Sequence, residues 1–349
     1  MRLGVNLGYV VGSDVRDYLE PAREADRLGY AVAWAAEAYG SDSPTVLSWV
    51  AAQTERIDVG SAVMQIPART PAMTAMTAAT LDLLSGGRFR LGVGVSGPQV
   101  SEGWHGVRFD RPLSRTREYV AVVRKALDRE TVTYDGSHFV LPLPDGPGKA
   151  LRLSLRPARE RLPIYLAAVG PRNIALAGEI ADGWLAIFFA PEHAADLQGH
   201  LDSGLTATGR TRADFDVSAT VPVVVGDDVA ACADPVRSYA ALYLGGMGSK
   251  EQNFYNQLAR RMGFDAAAEQ VQDLFLDQRH REAMAAVPLD FIDQTSLLGP
   301  RARIVERLHA YAEAGVTTLN VSCFDSTTDG RIATLRAMAD ALDTSGLGD

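Results

Sequence analysis

Two hydrophobic rhythms alternate along this chain: short continuous apolar runs, and longer stretches in which apolar residues return every three or four positions. The first is the pattern of a strand buried on both faces, the second that of a helix with one covered side. Leu3 to Leu7 begins the series as a strand. A helix from about Asp14 follows, with Val15, Leu19, Ala22, Ala25 and Leu28 on one face, and Gly29 stops it. Ala31 to Ala36 gives a second strand, Pro44 to Gln53 a second helix, and Ile57 to Met64 a third strand. Thr70 and Pro71 then open a helix as cap and first residue, and Ser85, Gly86 and Gly87 close it. Phe89 to Val95 is the fourth strand, with a helix from Arg111 to about Leu127 after it. Ile164 to Val169, Gly183 to Phe188, Val217 to Val225 and Thr317 to Ser322 supply four more strands.

Eight buried strands alternating with helices predict an α/β fold, a (β/α)8 TIM barrel, because each parallel strand needs a crossover helix to return. A doubly wound open sheet is the rival arrangement. The endings READRLGYAVAW, ALAGEIADGWLAI and AYAEAGVTTLNV form a weak repeat, each passing from an alanine-spaced helix through glycine into a strand. One barrel domain over residues 1–349 accounts for the chain, with two insertions. The first, about 131–158, holds VTYDGSHFVL, a hairpin with an Asp-Gly turn, and the loop LPDGPGKA. The second, about 228–300, reads as helical and is broken by LGGMGSKEQNFYN, whose glycines suit a lid over the pocket or a dimer contact.

In such a barrel, chemistry belongs just after each strand, on one face. Those positions hold Asn6, Gly8 and Tyr9; Glu37, Tyr39 and Asp42; Met64, Gln65 and Arg69; then Ser96, Gln99, Glu102, Trp104 and His105. After the fifth strand, Gly170 turns the chain and Pro171 suits a first helical position. The free N–H groups of Arg172, Asn173 and Ile174 would then add to the Arg172 guanidinium and make an anion site. An ordinary capped turn is the plain alternative. LGVGVSG contains G-x-G-x-x-G, but as a dinucleotide fingerprint it is misplaced. Three strand-helix units precede it, and Pro98 after the third glycine argues against a helix starting there. Its glycines with Val95 and Ser96 either relieve crowding inside the barrel or leave a bare surface for a planar ring.

The chain has 349 residues, 47% of them hydrophobic and 22% charged, with a net charge of -9. Nucleic acid is a poor partner for that balance, although a local patch near Arg172 and Lys250 suits an acidic cofactor tail. No apolar run approaches the roughly 18 residues of a membrane span, and MRLGVNLGYV lacks a signal-peptide core, so the expected location is the cytoplasm. Cys232 and Cys323 are far apart and fit free thiols in a reducing compartment. His193 and His200 share a helix face without a third ligand at metal spacing, so no metal is expected.

WAAEAYGSDS, VGSAVMQIPARTP, LDLLSGGRFRLGVGVSGPQVSEGWHG, LAAVGPRNIALAGEIADGW and GGMGSKEQNFYN together resemble the luciferase-like oxidoreductases, specifically the actinobacterial branch that uses the deazaflavin coenzyme F420. The resemblance spans nearly the whole chain. It implies a (β/α)8 barrel with an insertion and a homodimer. Val169, Gly170, Arg172 and Asn173 match the family's loop for the cofactor phosphate. Ala62, Val63, Met64 and Gln65 match a bulge with a non-proline cis peptide behind the tricyclic ring. Glu37 falls where sugar-phosphate-oxidising relatives carry a ring-contacting acid, but their next residue is a proton-donating histidine and here it is Ala38. A sugar phosphate is therefore not the expected substrate. Tyr39, Glu102 and His105 stand as candidate proton donors, with the plain alternatives that His105 packs under its loop and Glu102 pairs with Arg108 or Arg117.

The resemblance implies an F420-dependent oxidoreductase moving a hydride between reduced deazaflavin and a carbonyl, imine or activated alkene of a small molecule. An FMN-dependent luciferase-like monooxygenase is the nearest alternative, since both cofactors share ring shape and a phosphate. A non-catalytic flavin-binding protein is a third.

Overall fold

The computed structural model describes residues 1–9 and 16–348, so the predicted start of the first helix at Asp14 and Val15 lies outside the described residues. Eight parallel strands close on themselves: β1 (Arg2–Gly8), β2 (Val32–Ala35), β3 (Asp58–Ser61), β4 (Phe89–Gly94), β5 (Ile164–Ala167), β6 (Gly183–Ile187), β7 (Asp216–Val225) and β8 (Thr318–Cys323). Each pairs with its neighbour in sequence. β8 returns to β1 through Arg2 opposite Thr318, and this closure excludes the open-sheet rival. Around the barrel run α1 (Arg16–Arg27), α2 (Ser43–Ala51), α3 (Pro71–Leu84), α4 (Pro98–Gly103), α5 (Pro112–Leu127), α6 (Pro171–Ile180) and α7 (Ala194–Ala207). The insertion contributes α8 (Val229–Ala241), α9 (Phe254–Arg261), α10 (Asp265–Leu276), α11 (His280–Ala286) and α12 (Leu289–Gln294), before α13 (Arg301–Glu313) and α14 (Thr328–Ser345). None of these helices is long and apolar enough to cross a membrane.

The caps follow from the sequence. Thr70 accepts the N–H of Met73 at the start of α3, and Asp42 that of Thr45 at the start of α2. The main core lies between strands and helices, whereas large rings fill the barrel itself. Trp34 and Tyr165 meet edge to face at 5.2 Å, and Trp34 donates to Asn320 at 2.9 Å. Space for them comes from two glycines: a Cβ on Gly60 would stand 2.3 Å from Trp34, and one on Gly183 2.3 Å from Tyr165. The floor is a buried charge cluster in which Arg90 meets Asp58 at 2.7 Å and Asp216 at 3.3 Å.

Four details differ from the sequence pattern. The third strand is interrupted: its ladder ends at Ser61, the Ala62–Val63 peptide is cis, and Met64–Gln65 pairs again, now with β4. In the hairpin, Asp135 is a strand residue opposite Val140, so the turn is Gly136 to Phe139 and not Asp-Gly. The Glu118 carboxylate decides this by accepting the N–H groups of Ser137, His138 and Phe139 at 3.0, 2.8 and 3.1 Å. The second insertion is not wholly helical, because Leu297–Gly299 adds a short strand beside β7. Its glycines serve packing more than freedom: a Cβ on Gly245 or Gly246 would stand 2.4 or 2.5 Å from Phe275. Buried Asn253 then staples the break, donating to the carbonyls of Tyr243 and Leu244 at 2.9 and 3.0 Å.

Candidate functional site

The loop after β5 takes the form expected of a binding turn, with one correction. Gly170 caps α6 and Pro171 is its first residue, but the Gly170 carbonyl accepts the N–H groups of both Asn173 and Ile174 at 3.0 Å. Only the Arg172 N–H of the three predicted stays free of the helix, because the cap carbonyl takes the first intrahelical bonds. The exposed Arg172 side chain pairs with no carboxylate among the described residues. A Cβ on Gly170 would meet nothing within 4 Å, so the loop faces open space. Asn173 donates to the Ala167 carbonyl at 3.2 Å while its Oδ1 is buried without a partner, an acceptor that a ligand hydroxyl can satisfy. Lys250 does not join this patch as a free cation, since it meets Asp273 at 2.5 Å. The cation that reaches the loop is Arg261 of α9, donating to the Val169 carbonyl at 3.2 Å. Sequence gave no sign of it, because it lies far along the chain in the insertion.

Across the mouth, β2, β3 and β4 bring several predicted residues together. Gln65, nearly fully buried, donates to the backbone carbonyl of Glu37 at 3.1 Å and approaches the Ser96 hydroxyl at 3.4 Å. Its Oε1 meets His105 Nε2 at 2.8 Å. Glu37 itself accepts from Ser43 at 2.9 Å and from Arg69 at 2.6 Å, and Arg69 also reaches Asp42. Burial opposes the Arg69 charge, yet the Glu37 hydrogen bond and its neighbouring carboxylates hold the guanidinium's pKa above its ordinary value.

The glycines of LGVGVSG divide between the two readings. A Cβ on Gly92 would stand 1.9 Å from the Ser61 carbonyl, and one on Gly94 2.8 Å from Val63, so these two relieve crowding. Ser96, in the left-handed region at φ 61°, and Gly97, with only Gln99 within 4 Å at 3.6 Å, border open space next to Val95. Contrary to the expectation from Pro98, a helix does begin here: α4 starts at Pro98 with Gly97 as its cap. Proline has no N–H to lose at a first helical position. The helix is a single short piece after three complete units, so the dinucleotide reading still fails.

The three candidate proton donors part company. His105 is held by Gln65. Glu102 accepts the N–H of Phe109 at 3.0 Å and lies 4.0 Å from Arg108, a loop-building role, while Arg117 is taken by Glu179. Tyr39 is 66% exposed at the rim.

A feature that periodicity did not assemble is a nest of rings where the insertion meets the barrel mouth. Phe188, after β6, touches Tyr239, Tyr243, Tyr255 and Phe291 with centroids 5.2 to 6.2 Å apart. Tyr9, after β1, is hydrogen-bonded to Tyr243. The residues come from four separated stretches, so only the fold joins them.

With this geometry in place, comparison with known proteins assigns the family. The family described as luciferase-like monooxygenase matches residues 1–318. A candidate coenzyme F420-dependent oxidoreductase of Mycobacterium tuberculosis is 43% identical over 92% of this chain and 95% of its own length. The 5,10-methylenetetrahydromethanopterin reductase of Archaeoglobus fulgidus is 27% identical over 84% of this chain and 85% of its own. Among solved structures, the coenzyme F420-dependent tetrahydromethanopterin reductase of Methanopyrus kandleri superposes with a TM-score of 0.82 at 24% identity, covering 97% of each chain. An F420-dependent secondary alcohol dehydrogenase in complex with an F420-acetone adduct superposes at 0.79 and 18% identity, over 98% of each chain. The chain belongs to the luciferase-like monooxygenase family.

Proposed function

We propose that this chain is an oxidoreductase that binds coenzyme F420 and moves a hydride between the reduced deazaflavin and a carbonyl, imine or activated alkene. The observation that carries the reading is the pairing, on one barrel face, of an open anion-suited loop with a polar bed of Gln65, Ser96 and His105. Both lie on a chain 43% identical to a relative described by its F420 dependence. The residues fit the cofactor. Among the described residues Asn173 Oδ1 is a buried acceptor without a partner, suited to a hydroxyl of a sugar-alcohol chain, and Arg172 is a cation that pairs with no carboxylate, suited to a phosphate. Ala62, Val63, Met64 and Gln65 would back the ring, with Val95 and Ser96 along its edge. Glu37 is better described as the anchor of Arg69 than as a group free to touch the ring.

When bound, reduced F420 supplies the hydride. The protein's part is to hold the ring and phosphate, to keep water from the reacting face, and to give a proton to the charge left on the substrate. The proposed assembly is a homodimer. Trp49 on α2 and Met73, Met76 and Leu84 on α3 are all at least one-third exposed, an apolar face on adjacent helices that suits a second copy.

Turnover tests the reading directly. Purified protein loaded with reduced F420 is mixed with panels of ketones, imines and enones while deazaflavin absorbance is followed. Recovery of the oxidised band with at least one panel is the expected result. A bound cofactor that none of the three classes reoxidises would refute the proposed reaction.

A further inference from the structure

Four phenols crowd the side of the mouth that the cofactor residues leave uncovered. Tyr239 and Tyr243 have ring centroids 4.7 Å apart, Tyr243 and Tyr255 likewise 4.7 Å, and Phe188 lies beneath all three. Phe324, after β8, packs edge-on against Tyr239 at 5.5 Å. Tyr9 joins them through its hydrogen bond to Tyr243. All four tyrosines keep part of their surface accessible, so the cluster shows ring surface at the mouth instead of being sealed in the core.

Two properties of this wall are unusual. The rings pack against one another and against Phe188 and Phe324, and among the described residues no carboxylate, lysine or arginine is hydrogen-bonded to any of the four hydroxyls. Burial also keeps the phenols protonated well above neutral pH, so each offers a neutral O–H donor. The wall is built to hold its shape as well. Tyr243 sits in a π-turn, Leu242–Gly246, whose carbonyls Asn253 clamps from below. Tyr9 follows β1 and Glu37 follows β2, and these strands are paired neighbours, so the wall begins beside the bed.

We infer that the tyrosine wall is the substrate chamber, that it accepts an uncharged, ring-bearing carbonyl compound, and that the Tyr9–Tyr243 pair donates a hydrogen bond to the substrate oxygen. This rests on the proposed F420 reaction and adds the substrate class. Aromatic rings give a flat substrate edge and face contacts, and a charged substrate would lose water there without gaining a counter-ion. Reduced deazaflavin, when bound, would supply the hydride and be left oxidised, and the reduced carbonyl would carry the negative charge on its oxygen. That oxygen would take the Tyr9 hydroxyl proton, the phenolate left on Tyr9 would accept a hydrogen bond from Tyr243, and a proton from bulk solvent would restore Tyr9, the one proton the reduction consumes.

The test uses F420-loaded protein and three probes of similar shape: acetophenone, benzoate, and α-methylstyrene, which lacks the oxygen. Binding is read by isothermal titration, independent of turnover. We expect acetophenone to bind about tenfold tighter than benzoate, which carries an uncompensated charge. We expect it to bind about fivefold tighter than α-methylstyrene, and Tyr9→Phe and Tyr243→Phe each to erase most of that second preference. Benzoate binding as tightly as acetophenone, or an oxygen preference intact in both variants, would overturn the inference. Cofactor loading is followed separately by tryptophan quenching. Loss of F420 binding by the unmodified protein withdraws the F420 reading, whereas F420 binding without probe discrimination withdraws only the chamber.

Discussion

His105 Nε2 lies 2.8 Å from Gln65 Oε1, and this contact fixes where the imidazole proton is. The Gln65 amide nitrogen donates to the Glu37 carbonyl at 3.1 Å, which leaves its oxygen as the acceptor facing His105. Nε2 must therefore carry hydrogen. That proton is engaged by Gln65, so in this arrangement His105 holds Gln65 in place.

Replacing Gln65 tests the network. Gln65→Leu leaves the Glu37 carbonyl and the His105 N–H without their partner in a partly buried setting. We expect a loss of about 1 to 3 kcal/mol in stability, measured by urea unfolding. Wild-type stability in that variant would mean the network holds nothing in place.

Two glycines separate packing from binding. A Cβ on Gly92 would overlap a backbone carbonyl at 1.9 Å, whereas one on Gly170 would meet nothing within 4 Å. Gly92→Ala should cost about 3 kcal/mol or prevent folding, and Gly170→Ala should cost less than about 1 kcal/mol. Thermal melts of the pair check this. Equal costs would contradict the crowding assigned to Gly92.

Acid sensitivity has a definite contributor. Glu24 on α1 accepts from Arg27 at 2.6 Å and from Arg336 on α14 at 2.6 Å. The Arg27 hydrogen bond, opposed by burial and reinforced by Arg336, pulls the Glu24 carboxyl down to about 2 from 4.5. A pKa lowered on folding gives stability that is complete above the unfolded value and disappears as pH falls toward the folded one. Both arginines are mostly exposed, so the effect is about 1 kcal/mol. Glu24→Gln should melt below the wild type above pH 5 and converge with it near pH 2. A constant difference across that range would remove Glu24 from the acid transition.

Much of the fold was legible because its signals are local. Strand runs bounded by glycine, Thr70 before Pro71, and the Gly170–Pro171 turn each declare themselves within a few residues. What stayed hidden depends on partners remote in sequence. Glu118 overrides the Asp-Gly turn from another element, Phe275 explains Gly245 and Gly246, and Arg261 reaches the β5 loop from the insertion. Among the site residues, Gln65, Glu37, Ser96 and His105 do converge, while Glu102 turns to its own loop and the tyrosine wall draws on four separated stretches.

The most direct measurement is a titration of the purified protein with F420 and, separately, with FMN, following tryptophan quenching, repeated on Arg172→Ala. We expect micromolar or tighter binding of F420, feeble binding of FMN, and a loss of roughly 1 to 3 kcal/mol in F420 affinity in the variant through its phosphate contact. Preference for FMN, or no binding of F420, would contradict the deazaflavin reading, and unchanged affinity in Arg172→Ala would remove that residue from the site.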